Sequence, residues 1–240
     1  MRIIFIDEVD STNEEAKRLA HSGEIGPLWI GATSQTRGRG RRGRNWLSQD
    51  GNLFATGLYS LENGKDAANI SFVAAIAVAK ALENWVESDK IRLKWPNDVL
   101  IEGKKTSGIL LESWVNNGLF QLAIGIGINI KNAPENIERT ATCIANHLKP
   151  SAICPSPLEL LEHLAEIFQD QLAILNTHGF GEIRKEWLKM AAGLGKPIIA
   201  RTHDTEICGI FEFLGENGDL CLRDNENKLH QISAGDVFLL

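Results

Sequence analysis

The chain has few cysteines, and none is arranged to bind a metal. Cys143, Cys154, Cys208 and Cys221 form no CxxC pair, and no histidine stands at ligand spacing from them. Structural zinc depends on such short spacings to bring two ligands onto one turn. Zinc-finger classes are therefore excluded, and the four thiols are expected to be reduced, in or near a core. Long apolar runs are also missing. The N-terminal MRIIFIDEVDS lacks the apolar h-region and small-residue cleavage site of a secretory leader. No stretch approaches the roughly 20 apolar residues that span a bilayer, so the expected location is the cytosol. Positive charge is short as well: 25 basic residues against 31 acidic ones give a net charge of −6, the opposite of the basic footprint of a general nucleic-acid binder. With 240 residues, 43% hydrophobic and 23% charged, the chain can bury a core without disulfides or metal. Disordered, collagenous and membrane-spanning classes are excluded.

The scarce positive charge is concentrated. Residues 37–44 read RGRGRRGR, five arginines in eight positions with no acid among them, which leaves the rest of the chain at −11. Glycine permits close backbone approach, and guanidinium forks match phosphate and carboxylate bidentately. Such a loop can wrap a small polyanion, contact nucleic acid, or simply be solvated. Mutual repulsion predicts that it is mobile until an anion fills it. Residues 38–43 match G-x-G-x-x-G, but the dinucleotide motif needs a helix to begin there, and Asn45–Gly51 shows no amphipathic pattern. A phosphate-loop match at Gly103-Lys104 fails too, because Asp98 stands where its first glycine belongs and Lys105 replaces the hydroxyl residue.

Periodicity and turn signals predict a mixed main domain over residues 1–192 and a small β domain over 196–240. Strands are expected at 2–6, 28–33, 53–59, 91–95, 99–101, 106–115 and 119–130. The last three are joined by turns at Glu102-Gly103-Lys104 and Asn116-Asn117-Gly118. Helices are expected from Thr12, as N-cap of a Thr12/Glu15 capping box, to about 22, over 69–87, from the Ser156/Glu159 box to about 175, and over 181–190. A polar loop covers 131–140. After Gly193-Leu194-Gly195-Lys196-Pro197 the pattern turns to short strands at 198–201, 207–214, 220–223, 229–232 and 237–240.

Two further segments carry chemistry. Lys94-Trp95-Pro96-Asn97-Asp98 follows a strand end, with Lys105 and Gly108-Ile109-Leu110 beyond it; a lysine opening a buried strand suggests an anion, though a plain surface lysine is the alternative. Gly125-Ile126-Gly127-Ile128-Asn129 sets two glycines in an apolar strand, which weakens it unless something must approach closely. Asn129 offers a donor and an acceptor to a purine edge, or is a strand-end turn residue.

Together, Ser11-Thr12-Asn13, Gln35 with GRGRRGRNW (38–46), KWPNDV (94–99), Lys105 with Gly108-Ile109-Leu110, and GIGIN (125–129) resemble the biotin protein ligases over essentially the whole chain. Thr106, where the family often has an apolar residue, and Cys143, where serine is common, are departures. The resemblance implies an α+β fold, a mixed β-sheet with flanking helices of the class II synthetase-like kind, followed by a small SH3-like β-barrel. It implies a reaction that activates biotin with MgATP as biotinyl-5′-AMP and passes it to a lysine of a biotin carboxyl carrier protein, with no protein-ligated metal. Biotin would be held by Ser11, Thr12, Asn13, Gln35, Arg39, Gly40, Arg41, Lys105 and Gly108. ATP and the adenylate would meet Gly38, Arg41, Arg44, Trp46, Lys105 and Asn129. Lys105 and Arg41 would be catalytic, and Asp98 either a base toward the carrier lysine or a turn-capping carboxylate. Because the sequence opens at the catalytic domain, a ligase without a repressor's DNA-binding head is expected. No nucleic-acid or membrane partner is implied, and a homodimer is left open. Lipoate ligase is the nearest enzymatic rival, and a nucleic-acid-binding module is the rival from another class.

Overall fold

Alternation along one strand sets the two faces of the main sheet. In the computed structural model, which describes residues 1–61, 64, 67–135 and 140–240, strand β7 (Leu119–Ile128) turns Leu122, Ile124, Ile126 and Ile128 into the large core. Ala123 faces the other way, into a smaller cluster with Ala16, Ala20, Leu28, Ile30 and Leu58. Side chains two apart share a face, so Gly125 and Gly127 continue the Ala123 side. The sheet has seven strands in the order β1 (Arg2–Val9), β2 (Leu28–Gln35), β3 (Leu53–Leu61), β7, β6 (Lys104–Asn116), β5 (Asp98–Ile101) and β4 (Ile91–Lys94). Only β1 and β2 run parallel; the other neighbours are antiparallel.

Helix α1 (Thr12–His21) covers the Ala123 face through Ala16 and Ala20. The opposite face carries α2 (Ile70–Leu82), α3 (Pro157–His178) and α4 (Phe180–Lys189). All of α2 except Ser71 and Lys80 is buried, as expected for a helix apolar all round and enclosed on every side. It stops five residues short of the expected 87: Trp85 and Val86 both donate to the Leu82 carbonyl, which closes a turn that no glycine or proline announces. The α3 capping box is present, with Glu159 N donating to Ser156 Oγ at 3.2 Å and Ser156 N to Glu159 Oε2 at 3.3 Å. The α1 box is not. Ser11 is the N-cap, in extended backbone and without a side-chain cap bond, because the Thr12 hydroxyl is engaged elsewhere. Of the expected 131–140 loop, residues 136–139 lie outside the described residues. Both hairpin turns carry positive φ at their two central residues, Glu102 and Gly103 (48° and 76°) and Asn117 and Gly118 (48° and 80°), as a two-residue turn matching strand twist requires.

Residues after Pro197 form a second, antiparallel sheet of five strands, β11 (Leu229–Ile232), β10 (Leu220–Arg223), β9 (Glu206–Leu214), β8 (Pro197–Arg201) and β12 (Asp236–Leu239). Ile198, Phe211 and Val237 join the same core as Leu93 and Trp95, and Trp95 Nε1 donates to Gly218 O at 3.0 Å. The small sheet is thus seated directly behind the KWPND segment. Cys143 and Cys221 are buried and Cys154 half-buried, whereas Cys208 is exposed on β9, the one thiol that departs from a core position. Among the described residues, no helix is long and apolar enough to cross a membrane.

Candidate active site

A cavity of about 310 Å³ opens on the glycine face of β7, at the lower end of the range for small-molecule sites. It lies between the start of α1, the loop joining β2 to β3, and strands β3 and β5 to β7. Ser11, Thr12, Asn13, Gln35, Arg39, Gly40, Arg41, Arg44, Trp46, Asp98, Lys105, Gly108 and Asn129 all line it. Gly38 does not. It lies beneath the loop, where a Cβ would stand 2.6 Å from Trp46 O, and Trp46 N donates to the Gly38 carbonyl at 3.0 Å.

The end beside α1 is a fixed hydrogen-bond network. Thr12 N and Oγ1 donate to Gln35 Oε1 at 2.8 and 3.2 Å. Thr56 Oγ1 lies 2.8 Å from Thr12 Oγ1 and 2.6 Å from Asn13 Oδ1, and Asn13 Nδ2 donates to Glu112 Oε2 at 2.8 Å. Both ends of the Asn13 amide are therefore oriented. Thr56 and Glu112 were not among the sequence candidates; neither lies in a motif, and only the sheet register brings them to α1.

The glycines of GIGIN make room for side chains of this same site. A Cβ on Gly125 would meet Asn13 Oδ1 at 2.4 Å, and one on Gly127 would meet Trp46 Cε2 at 2.4 Å. Gly127 pairs in register with Gly108, whose Cβ would come within 2.9 Å of the same indole. Two facing glycines thus form a flat bed on which Trp46 lies. The indole Nε1 is buried and has no hydrogen-bond partner among the described residues.

The cationic end owes its geometry to a bulge. Val99 pairs with Ser107 and Leu100 with Lys105, so Thr106 is an extra residue in β6. Unbroken alternation would send Lys105 to the same face as Ser107 and Ile109, into the core; the bulge turns it to the cavity face instead. There Lys105 Nζ meets Asp98 Oδ1 at 2.5 Å, with Lys94 Nζ 3.4 Å from Asp98 Oδ2. Asp98 is only 4% exposed. Segment 140–143 clamps the bulge: Lys105 N donates to Thr140 O at 3.0 Å, Thr142 N to Lys105 O at 2.9 Å, and Thr106 Oγ1 to Thr142 O at 3.1 Å. The Thr106 hydroxyl thus has a defined use. Asn129 Nδ2 donates to the same Thr142 carbonyl at 3.1 Å.

Three of the loop arginines, Arg39, Arg42 and Arg44, are met by carboxylates, which offset part of the repulsion that argues for a mobile loop. Arg39 pairs with Glu14 and lies 3.5 Å from Glu112; Arg42 and Arg44 pair with Asp236 at 3.2 and 3.1 Å. Arg41 Nη1 donates to Asn97 Oδ1 at 3.1 Å. Burial pulls the Arg41 guanidinium below its ordinary value, against the pull of Asp236 and Asp98. The base of the loop is tied by Asn52, which accepts from Ile130 N, Lys131 N and Asn132 N at 2.9, 3.1 and 3.2 Å. No motif flagged this residue.

The model of the Biotin/lipoate A/B protein ligase family matches residues 5–129, which carry nearly all of these side chains. The chain belongs to this family. Residues 193–240, which hold the five-stranded sheet, match the Biotin protein ligase C terminal domain. The biotin–[acetyl-CoA-carboxylase] ligase of Paracoccus denitrificans is 42% identical over 95% of this chain and 97% of its own length. The bifunctional ligase/repressor BirA of Bacillus subtilis is 31% identical, covering 99% of this chain and 74% of its own. The Aquifex aeolicus biotin protein ligase, solved in complex with biotin and ATP, superposes with a TM-score of 0.81 at 28% identity over 99% of this chain and 97% of that one.

Proposed function

We propose that this family member is an ATP-dependent biotin protein ligase that forms biotinyl-5′-AMP and transfers the biotinyl group to a lysine of a biotin carboxyl carrier protein, as of acetyl-CoA carboxylase. One observation carries the reading. Strand β7 orders the cavity like a ruler, with Asn13 over Gly125, Trp46 over Gly127, and Asn129 two residues on. At roughly 3.3 Å per residue these positions span about 13 Å; Lys105 stands beside Gly108, opposite Gly127 in the middle of the row, and Arg41 and Arg44 line the same cavity. A neutral ring, a carboxylate meeting a phosphate, and a purine would follow in that order.

In the first step a biotin carboxylate oxygen attacks the α-phosphorus of MgATP. The new C(O)O–P bond forms as the bridging P–O bond breaks, and pyrophosphate leaves with the electron pair. One anion approaches another, so the barrier is largely electrostatic, and fixed cations are worth about 3–4 kcal/mol each by comparison with oxyanion-hole deletions. Lys105 would bridge the carboxylate and α-phosphate, Arg41 would face the phosphates, and Arg44 would meet the departing pyrophosphate. Ser11, Thr12, Asn13 and Gln35 would bind the ureido ring, with Arg39 and Gly40 closing over it. In the second step the carrier's deprotonated Nζ attacks the acyl carbon, the C–N bond forms, AMP leaves with the C–O electrons, and the nitrogen gives up its extra proton to solvent. Asp98, held between two lysines, supports a role in fixing Lys105 more directly than one as base. The free thiols fit a reducing compartment such as the cytosol.

Biotin-dependent exchange of labelled pyrophosphate into ATP tests the first step. Exchange with biotin and none with lipoate is expected; exchange with lipoate alone would reassign the substrate.

A further inference from the structure

Asp236, the first residue of β12, reaches from the small sheet back to the arginine loop. Arg42 Nη1 donates to its Oδ2 at 3.2 Å and Arg44 Nη2 to its Oδ1 at 3.1 Å, across 194 and 192 residues of chain. The carboxylate lines the cavity and is 13% exposed, against 43% and 48% for the two guanidinium side chains. Its backbone is fixed. Asp236 pairs with Arg201 in the β8–β12 ladder, and the chain just before it is so tight that a Cβ on Gly235 would stand 2.8 Å from Arg201 O. A rigid carboxylate thus meets the mobile ends of two long side chains.

Arg41 and Arg44 line the cavity, and Arg42 meets Arg44 at Asp236. Left alone they would spread, and Asp236 supplies the opposing charge from outside the loop. We propose that Asp236 is a positioning residue for the nucleotide: it gathers Arg42 and Arg44 by one edge of each fork, so that the remaining N–H groups present themselves to the polyphosphate. The inference rests on the ATP-dependent reading above and extends the nucleotide site to the small sheet. Arg44 is further steered by its Nε, which donates to the Arg41 carbonyl at 3.3 Å. A guanidinium has five donors, so these contacts leave capacity for phosphate oxygens.

The sign of the effect separates positioning from mere charge. A carboxylate that only added negative potential at the cavity wall would weaken nucleotide binding, and neutralising it would lower the KM for MgATP. A positioning carboxylate does the reverse. The test measures KM for MgATP, KM for biotin and kcat in the exchange reaction for wild type, Asp236→Ala, Asp236→Asn, Asp236→Glu, Arg44→Ala and the Arg44→Ala/Asp236→Ala pair, with calorimetric titration of MgATP into each. Asp236→Ala and Asp236→Asn are expected to raise the MgATP KM and dissociation constant about tenfold, the scale of a lost charge-assisted hydrogen bond, with kcat and biotin KM little changed. Asp236→Glu should recover most of the loss. The double variant should lose less than the sum of the two single losses, because without Arg44 the carboxylate acts through Arg42 alone. An unchanged or lowered MgATP KM, additive losses, or equal losses in every parameter with a lowered Tm would overturn the inference. Wild-type protein without exchange would overturn the ligase reading and this one together; wild-type exchange with an indifferent Asp236→Ala would overturn this one alone.

Discussion

Lys105 concentrates the proposed chemistry in one atom. Its Nζ sits 2.5 Å from Asp98 and 5.5 Å from the centre of the Trp46 ring, fixed by a salt bridge on one side and an aromatic face on the other. Lys105→Ala should lower biotin-dependent exchange by about 100- to 1000-fold, the range for removing one preorganised charge-stabilising group; wild-type exchange would take Lys105 out of the reaction. Because Asp98 binds this ammonium, Asp98→Asn is expected to slow adenylation and transfer by comparable factors in single-turnover assays. A loss confined to transfer would assign Asp98 the base role instead. Residue types were the most legible layer of the sequence: of the candidate residues, all but Gly38 line the cavity. Their partners were not legible. Thr56, Glu112 and Asn52 look like ordinary strand and loop residues until register brings them under α1 and the loop.

Elements decide which way these residues face. The bulge at Thr106 is the clearest case, since a hairpin with unbroken alternation puts Lys105 into the core. Nothing in the sequence around Thr106 marks an extra residue; the clamp by segment 140–143 comes from elsewhere in the chain. The glycines of GIGIN were legible as sites of close approach but not as beds for Asn13 and Trp46. Gly127→Ala, with backbone that the sheet holds on both sides, should displace the indole. It is expected to cost about 1–3 kcal/mol by overpacking, seen as a Tm drop of several degrees, together with a loss in kcat/KM for exchange. Full activity would mean that Trp46 is dispensable as a pocket wall. The start of α1 depends on a different contact. Asp10 accepts from Ser11 N and Arg18, and chiefly the Arg18 hydrogen bond holds its carboxyl down at about 2. A depressed carboxylate stabilises the fold above its unfolded value of about 3.9 and loses that contribution as pH falls through the folded value. The pair is solvent-exposed, so the contribution is under about 1 kcal/mol. The stability gap between wild type and Asp10→Asn should be present near neutral pH and narrow on acidification below about pH 4; a gap that widens in acid would contradict this.

At the scale of the whole molecule, the charge split read from composition takes on a location. Arg39, Arg41 and Arg44 of the loop line one cavity, and carboxylates from α1, β6 and the small sheet pair with Arg39, Arg42 and Arg44. The existence of the small sheet was legible from the switch to short strands after Pro197. Its contribution of Asp236 was not, because a single aspartate 192 residues from Arg44 carries no pattern. The long helices, the two hairpins and the positions of the strands along the chain followed from periodicity and turn chemistry, while the sheet order, the faces and the cross-domain contacts followed from packing alone. All of them converge on the cavity to which we assign the joining of a carboxylate to a lysine through an adenylate. The most direct test is transfer of labelled biotin to a purified carrier domain. Label should appear on the carrier lysine only with MgATP present, and Lys105→Ala should abolish it; labelling that proceeds without ATP, or none with all components present, would contradict the account.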